Sequence, residues 1–494
     1  MTKEHTPVEP LSPPTTDDDA LPRALTRLVW ALWLASVVVL GARLWTGADL
    51  TLGGVLRVDG LTAVMWVAVT FFSGVVYSYS RRYMAGDANV DRFFATLAAF
   101  TASVLVLVSA DHLLVFLAAW TAMGLAMARL IGHVDDWESA HASAALARRY
   151  FLGGSGLLAL AFGALWWTTG ATTVSGVAAA IATLPESVVL AVGGALVLAA
   201  MVQSALVPFH RWLLSSMTAP TPASALMHAG FVNAGGVLLV RFAPVVTADD
   251  ALPLLVVLIG AASALTGKLL KTVQPDVKGA LGCSTVGQMS FMLMQAGLGF
   301  FAAALTHLVL HGFYKAYHFL SAGGAVAREA PETATERSAE RSSSAVTLLV
   351  VALTGLVGGG VFALLTGEGT EGGSGLLLVL LVVLTVLQAA RDVAARADLP
   401  AAIRYAGVPL VALPAIGVYA GVYTVVHGLL AGLPGVGHPE PLTPVHGVVA
   451  AAFLVVYLAV ETGLYRCSAR LYVALLNAAR PSAGTLLTDT EDYQ

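Results

Sequence analysis

Fourteen apolar stretches of membrane-crossing length, joined by short polar connections, account for most of this chain and leave few folds open to it. An α-helix rises about 1.5 Å per residue, so about 20 apolar residues cross a hydrocarbon layer about 30 Å thick. In lipid every backbone polar group needs a partner within the protein. That restricts spanning elements to helices and closed barrels, and runs this long without alternation read as helices. The stretches lie near residues 25–45, 60–79, 93–108, 113–131, 147–167, 187–207, 221–242, 252–270, 280–298, 301–326, 345–365, 376–390, 405–430 and 445–460. The expected fold is an all-α, polytopic transmembrane helix bundle. A composition 57% hydrophobic and 11% charged, with a mean hydropathy of +0.80, excludes a water-soluble globule.

The basic residues test this alternation independently, because they concentrate on the cytoplasmic side of a membrane protein. With the N-terminus inside, 22 of the 26 Lys and Arg residues fall on one side, and only Arg43, Arg57 and Arg241 on the other. Lys315 lies within a span. The expectation is a multi-pass protein of the cell (inner) membrane with both termini cytoplasmic. Residues 1–22 hold Pro, Thr and an Asp17-Asp18-Asp19 run without apolar periodicity or a cleavable leader pattern, and are expected to be a disordered tail. Residues 23–92 hold the N-terminal spans, and residues 444–494 the last span and a cytoplasmic tail. Basic residues scattered in ones and threes, under a net charge of -4, make no nucleic-acid surface. Cys283 and Cys467, the two cysteines, are too few for a disulfide framework or a thiolate metal site, so no cofactor is expected on this chain.

Lys315 is the most informative residue, because a lone ammonium near the middle of a span costs about 3 kcal/mol on insertion scales. His307, His311 and Lys315 recur every fourth residue, so they share one helix face with about 6 Å of rise between neighbours. That is the spacing of a proton relay through intervening water. The alternatives are helix-to-helix hydrogen bonds and, less favoured, a metal site, which two imidazoles beside a fixed cation do not complete.

A second polar cluster runs from Gln203 through Pro208 and His210 to Pro220, Pro222 and His228. Prolines interrupt helices, and carbonyls freed at such breaks need protein or a water-filled cavity. A hydrated cavity is expected there, with His228 passing protons from it toward the centre. Asn233 reads as helix glue. Lys268, Lys271 and Lys278 flank a cytoplasmic loop where a solvated role comes first, with Lys268 kept as a proton-path candidate. Asp111 and His112 read as a solvated outer turn or, as the lesser alternative, an access funnel. Asp59 is placed to cap a helix.

These residues resemble the antiporter-like subunits shared by respiratory complex I, membrane hydrogenases and Mrp-type cation/proton antiporters. The resemblance rests on Val58-Asp59-Gly60-Leu61, Ser80-Arg81-Arg82-Tyr83-Met84, Pro220-Thr221-Pro222, Asp276-Val277-Lys278 and His311-Gly312-Phe313-Tyr314-Lys315-Ala316. It implies two inverted five-helix repeats, here 93–242 and 252–430, each with a broken helix. It also implies a glutamate after Trp120 and a lysine at the start of the Ser-Ala-x-x-Pro-x-His segment, where this chain has Thr121 and Gln203. The ion pair that would tune proton affinity is thus replaced by two neutral groups. A distal lysine is missing as well, since no lysine follows Lys315 and the comparable stretch reads Gly355-Leu356-Val357-Gly358-Gly359-Gly360.

With Gln203-Ser204-Ala205 and Pro208-Phe209-His210-Arg211-Trp212-Leu213-Leu214, the chain more closely resembles the DabB-type membrane subunits of DAB inorganic-carbon accumulation complexes. That resemblance implies a large peripheral DabA-like partner similar to a zinc β-carbonic anhydrase. Its one-way hydration of carbon dioxide would be coupled to proton or Na⁺ flow through this chain, with the zinc in the partner and the present chain not itself an enzyme. The rival readings are a complex I-like or Mrp-type antiporter subunit and a purely structural anchor.

Overall fold

The computed structural model describes residues 20–324, 345–369, 373–394, 401–437, 441 and 443–485. The first nineteen residues of the expected tail and the charged stretch from Arg328 to Arg341 lie outside the described residues. The chain starts with α1 (Ala20–Thr46), a two-stranded antiparallel hairpin of β1 (Leu50–Leu52) and β2 (Leu56–Val58), and α2 (Gly60–Tyr83). There follow α3 (Val90–Ser109), α4 (Leu113–Ile131), α5 (Glu138–Thr169), the short α6 (Val174–Ala180) and α7 (Glu186–Gln203). A segmented region comprises α8 (Arg211–Ser215), α9 (Thr221–Ala229), α10 (Ala234–Arg241) and α11 (Ala243–Val246). Then come α12 (Ala251–Thr272), α13 (Val277–Gly297), α14 (Phe301–Ser321), α15 (Ala345–Thr366), α16 (Gly375–Ala394), α17 (Ala401–Leu430), α18 (Pro444–Glu461) and α19 (Ala469–Ala478).

All fourteen expected spans fall on helices, the seventh divided between α9 and α10. Among the described residues ten helical segments are long and apolar enough to cross a membrane. Large apolar side chains face outward in mid-span, Leu160 at 73% and Val38 at 70% exposure, as a lipid-facing surface requires. The helices begin where the sequence offers caps. Asp59 accepts from the Thr62 N–H at 2.9 Å and Asp276 from the Gly279 N–H at 2.7 Å. The helix α5 starts nine residues before its apolar span, at Glu138 rather than 147, because the Ala-rich lead-in is itself a strong helix former.

The first two spans, α1 and α2, run antiparallel. Trp30, early in α1, donates to the Ser78 hydroxyl late in α2 at 3.0 Å, and Ser36 meets Thr70 at 3.2 Å. One end of the bundle gathers the hairpin, the α3–α4 turn and the start of α6, through bridges between Leu56 and Ala110 and between His112 and Thr173. The opposite end carries Arg92 on Asp135 at 2.9 Å and Asn89 on the same carboxylate at 3.0 Å, joining the α2–α3 and α4–α5 turns. This second end holds most of the basic residues. The three assigned to the first end all have carboxylate partners: Arg43 on Asp49 at 3.1 Å, Arg57 on Asp49 at 2.6 Å, and Arg241 on Asp59. The start of α1 and the C-terminal helix α19 both lie at the basic end. His210 Nε2 meets the Ala478 carbonyl at 3.0 Å, and the Ser482 N–H donates to the Ser215 hydroxyl at 3.0 Å. Leu475 and Ala479 pack with Leu214, Leu270, Val273 and Cys283, so one face of the tail after Glu461 is docked on its own chain.

Candidate proton-transfer axis

The seventh span breaks because its sequence cannot continue as one helix. Pro220 and Pro222 restart the chain at α9, Gly230 ends it, and a single 3₁₀ turn over Phe231–Asn233 leads into α10. The second half can approach α7 only because residue 235 is glycine, where a Cβ would stand 2.3 Å from Ser204 Oγ and 2.7 Å from the Ala200 carbonyl. Side chains meet the carbonyls of the break: Gln203 Nε2 donates to Phe231 O at 3.2 Å, Ser204 Oγ to Val232 O at 2.7 Å, and Asn233 Nδ2 to Ala229 O at 2.7 Å. A side-chain amide does this at low cost because it supplies a donor without a charge to desolvate. Gln203 is a fixed donor here, with its amide spent on the backbone.

His228 is fully buried, its ring stacked on Phe319 at 4.2 Å and its Nδ1 2.9 Å from Thr285 Oγ1. Thr285 donates its own proton to the Leu281 carbonyl at 2.9 Å, so its oxygen accepts from His228 Nδ1–H and the neutral ring carries its free lone pair on Nε2. The Leu281 carbonyl also accepts from Lys315 Nζ at 2.9 Å. Lys315 is fully buried, and that carbonyl is its one hydrogen-bond partner among the described residues. His228 and Lys315, 87 positions apart by number, are thus joined through Thr285 and one carbonyl oxygen.

His311 follows one turn before Lys315, buried, with neither ring nitrogen partnered among the described residues. His307 lies a further turn away, its ring 5.9 Å from that of His311 and inclined by only 22°. His307 faces a cavity of about 500 Å³, whose wall includes Lys268, Lys271, Gln288, Gln295 and Tyr419. The cavity follows α13 from Ser284 to Gln295, roughly 16 Å at the rise of a helix. At its far end Tyr419 and Gln295 both line the wall, and one turn on, Tyr423 donates to the Glu368 carboxylate in the α15–α16 connection. His427, another turn on, sits with its ring 5.8 Å from Tyr423.

The sequence reading missed Thr285, Gln295, Tyr419, Tyr423 and Glu368. The recurrence of Tyr419, Tyr423 and His427 every fourth residue is the signal that could have found the last part, since it repeats the logic of 307, 311 and 315. Two other polar groups prove architectural. Asp111 accepts from the Ser175 N–H at 2.9 Å and its hydroxyl at 2.7 Å, and His112 Nδ1 caps α4 at Leu114. The expected outer turn is a clasp holding α6. Asp59 does cap α2, and also forms a buried ion pair with Arg241, which reaches Thr62 Oγ1 at 3.0 Å and the Val108 carbonyl at 2.6 Å.

Residues 110–367 match the family described as NADH:quinone oxidoreductase/Mrp antiporter, TM, and residues 45–94 match NADH-Ubiquinone oxidoreductase (complex I), chain 5 N-terminus. The chain belongs to the complex I/Mrp antiporter-like family. Among its relatives, the probable inorganic carbon transporter subunit DabB1 of Halothiobacillus neapolitanus is 38% identical over 56% of this chain and 50% of its own length. The probable inorganic carbon transporter subunit DabB of Bacillus subtilis is 38% identical over 59% of this chain and 57% of its own length. The NADH-quinone oxidoreductase subunit L of Mycobacterium tuberculosis is 36% identical over 55% of this chain and 43% of its own length. The matched part therefore spans about half the length of these relatives. The fold is shared with a chain in the structure of the Mrp complex from Dietzia sp. DQ12-45-1b, with a TM-score of 0.63 at 22% identity, covering 93% of this chain and 57% of that one.

Against the family pattern, Thr121 occupies the expected glutamate position and turns its hydroxyl to the Leu117 carbonyl of its own helix at 2.8 Å. Neither Thr121 nor Gln203 carries a titratable group, so the first ionisable side chain of the candidate axis is His228.

Proposed function

We propose that this chain is the proton-conducting membrane subunit of an inorganic-carbon accumulation complex, coupling ion flow to carbon dioxide hydration in a DabA-like zinc partner. The observation that carries the reading is Lys315. An amine buried in mid-bundle against a single carbonyl, followed by two histidines and a cavity that carries a few polar side chains, is a costly arrangement that a passive anchor has no use for. Thr285 and the Leu281 carbonyl hold His228 and Lys315 in register; protons pass between the two through intervening water, continue by His311 and His307 into the cavity, and communicate with the far side through Tyr419, Tyr423 and Glu368. Histidine is suited to these steps because one ring nitrogen can accept while the other donates. Lys268 and Lys271 line the same cavity toward the basic end, which the charge asymmetry assigns to the cytoplasm.

The relatives described as inorganic carbon transporter subunits support the choice of coupled reaction, as do the two neutral groups at 121 and 203. With only Cys283 and Cys467, this chain cannot supply a thiolate zinc set, so the zinc is assigned to the partner. The second reading, a complex I-like or Mrp-type antiporter subunit, is favoured by the relative from Mycobacterium tuberculosis.

The deciding experiment is growth of a carbonic-anhydrase-deficient bacterium in air, without added bicarbonate, carrying this gene with and without the gene for its candidate zinc partner. The expected result is rescue that needs both genes and disappears with Lys315→Met. An intact, purifiable complex that gives no rescue would return the chain to the antiporter reading, and rescue that survives Lys315→Met would make it an anchor.

A further inference from the structure

The basic end of the bundle holds a second cavity, of about 600 Å³, between the ends of α3, α4 and α5 and away from the axis described above. Three guanidinium groups line it, from Arg92, Arg129 and Arg148, against one carboxylate, that of Asp135. Arg92 is committed to Asp135 at 2.9 Å and to the His133 carbonyl at 2.9 Å. His133 is committed to Asp87 at 3.3 Å. Arg129 and Arg148 have no carboxylate partner among the described residues, and both are exposed, so the cavity has two uncompensated positive charges.

Its shape is set by small side chains. Ala128, Ala144 and Ala145 line the wall, and at Gly132 a Cβ would come within 2.8 Å of the Ala144 methyl, so the ends of α4 and α5 close behind an open mouth. Each free arginine stands one turn from a leucine exposed on the membrane-facing surface. Leu125 precedes Arg129 on α4 at 39% exposure, and Leu152 follows Arg148 on α5 at 46%. Since α4 runs toward the basic end and α5 away from it, both leucines lie on the membrane side of their arginine. Two cations at headgroup depth, each above an apolar stem, match a ligand with an anionic head and paired acyl chains.

We infer that this cavity is a binding site for an anionic glycerophospholipid, its phosphate held by Arg129 and Arg148 and its acyl chains lying along Leu125 and Leu152. Basic pockets between membrane helices recognise such headgroups through charge, at about fivefold in affinity per arginine and roughly thirtyfold for two. The site does not depend on the conduction pathway or on the identity of the partner protein.

The test is native mass spectrometry of the full chain, with whatever partner co-purifies, in neutral detergent titrated with phosphatidylglycerol or phosphatidylcholine. The wild type should retain phosphatidylglycerol in preference. The Arg129→Gln/Arg148→Gln variant should lose that preference by roughly thirtyfold, while Arg129→Lys/Arg148→Lys keeps most of it. Both side chains are exposed, so these substitutions leave the core untouched, and an unchanged elution profile verifies it. Equal retention of the two lipids by the wild type, or a preference that survives the glutamine substitutions, would overturn the inference. So would displacement of the lipid by millimolar glycerol 3-phosphate or bicarbonate, which would make the cavity a site for a soluble anion.

Discussion

The carbonyl of Leu281 accepts two hydrogen bonds, from Thr285 and from Lys315, and through Thr285 it connects to His228. Replacing Thr285 with valine keeps the side-chain volume and removes the hydroxyl between the histidine and the lysine. A neutral hydrogen bond is worth about 0.5–1.5 kcal/mol, so proton flux into proteoliposomes should fall several-fold. Thr285→Ser should retain it, with a pH-sensitive dye inside the vesicles as readout. Asp59 is a structural counterpart. Asp59→Asn leaves the Arg241 guanidinium buried beside a neutral amide, which typically costs about 3–5 kcal/mol. Thermal unfolding in detergent should shift down clearly, whereas Asp49→Asn, at a more exposed pair, should have a smaller effect. His307, His311 and Lys315 were legible in the sequence because ionisable groups recurring every four residues within an apolar run have few structural explanations. Thr285 was not, because an isolated threonine in a span carries no pattern. Its role comes from the face that α13 turns toward α9 and α14.

At the scale of elements, the docked C-terminal helix α19 depends on a histidine outside the membrane-spanning segments. Burial, aided by the neighbouring Arg211, pushes His210 below the ordinary histidine value, although its contact with the Ala478 carbonyl works the other way. A histidine with a lowered folded-state pKa contributes stability that is complete above its unfolded value of about 6.5 and is lost as the pH falls below that. Protection factors for the amides of residues 469–478, corrected for intrinsic exchange rates, should therefore fall on going from pH 7.5 to 5.5, and His210→Gln should flatten that dependence. The reverse trend would mean that the contact favours the charged ring. The helices themselves were readable from hydropathy, since all fourteen stretches fall on helices, ten of the helical segments among the described residues being long and apolar enough to cross a membrane. The segmentation at 203–241 was announced by its prolines, but not the way its carbonyls are satisfied. That solution depends on Gln203, Ser204 and Asn233 meeting the right backbone atoms across 28 positions or within one turn, a matter of tertiary register.

For the whole molecule, the start of α1 and the helix α19 lie at the same, basic end. A fluorescent protein fused after Gln494 should fold and fluoresce, while alkaline phosphatase at the same position should remain inactive. The opposite pattern would invert the assigned orientation. The gathering of basic residues at one end was legible because charge asymmetry accumulates over 26 residues and tolerates local error. The ion pairing of the three exceptions was not, since a residue's partner depends on which turns meet. The cavity beside His307 was also invisible in sequence, being enclosed by helices far apart in the chain. Its wall is mostly apolar, with Leu381, Val386, Ile416 and Phe453 facing a few polar points. A corridor of that character wets and dries as a unit, since isolated waters find too few partners to remain. Conduction through it is then a question of filling as well as of titration, and should drop abruptly, rather than in proportion, as osmotic stress withdraws water from the protein.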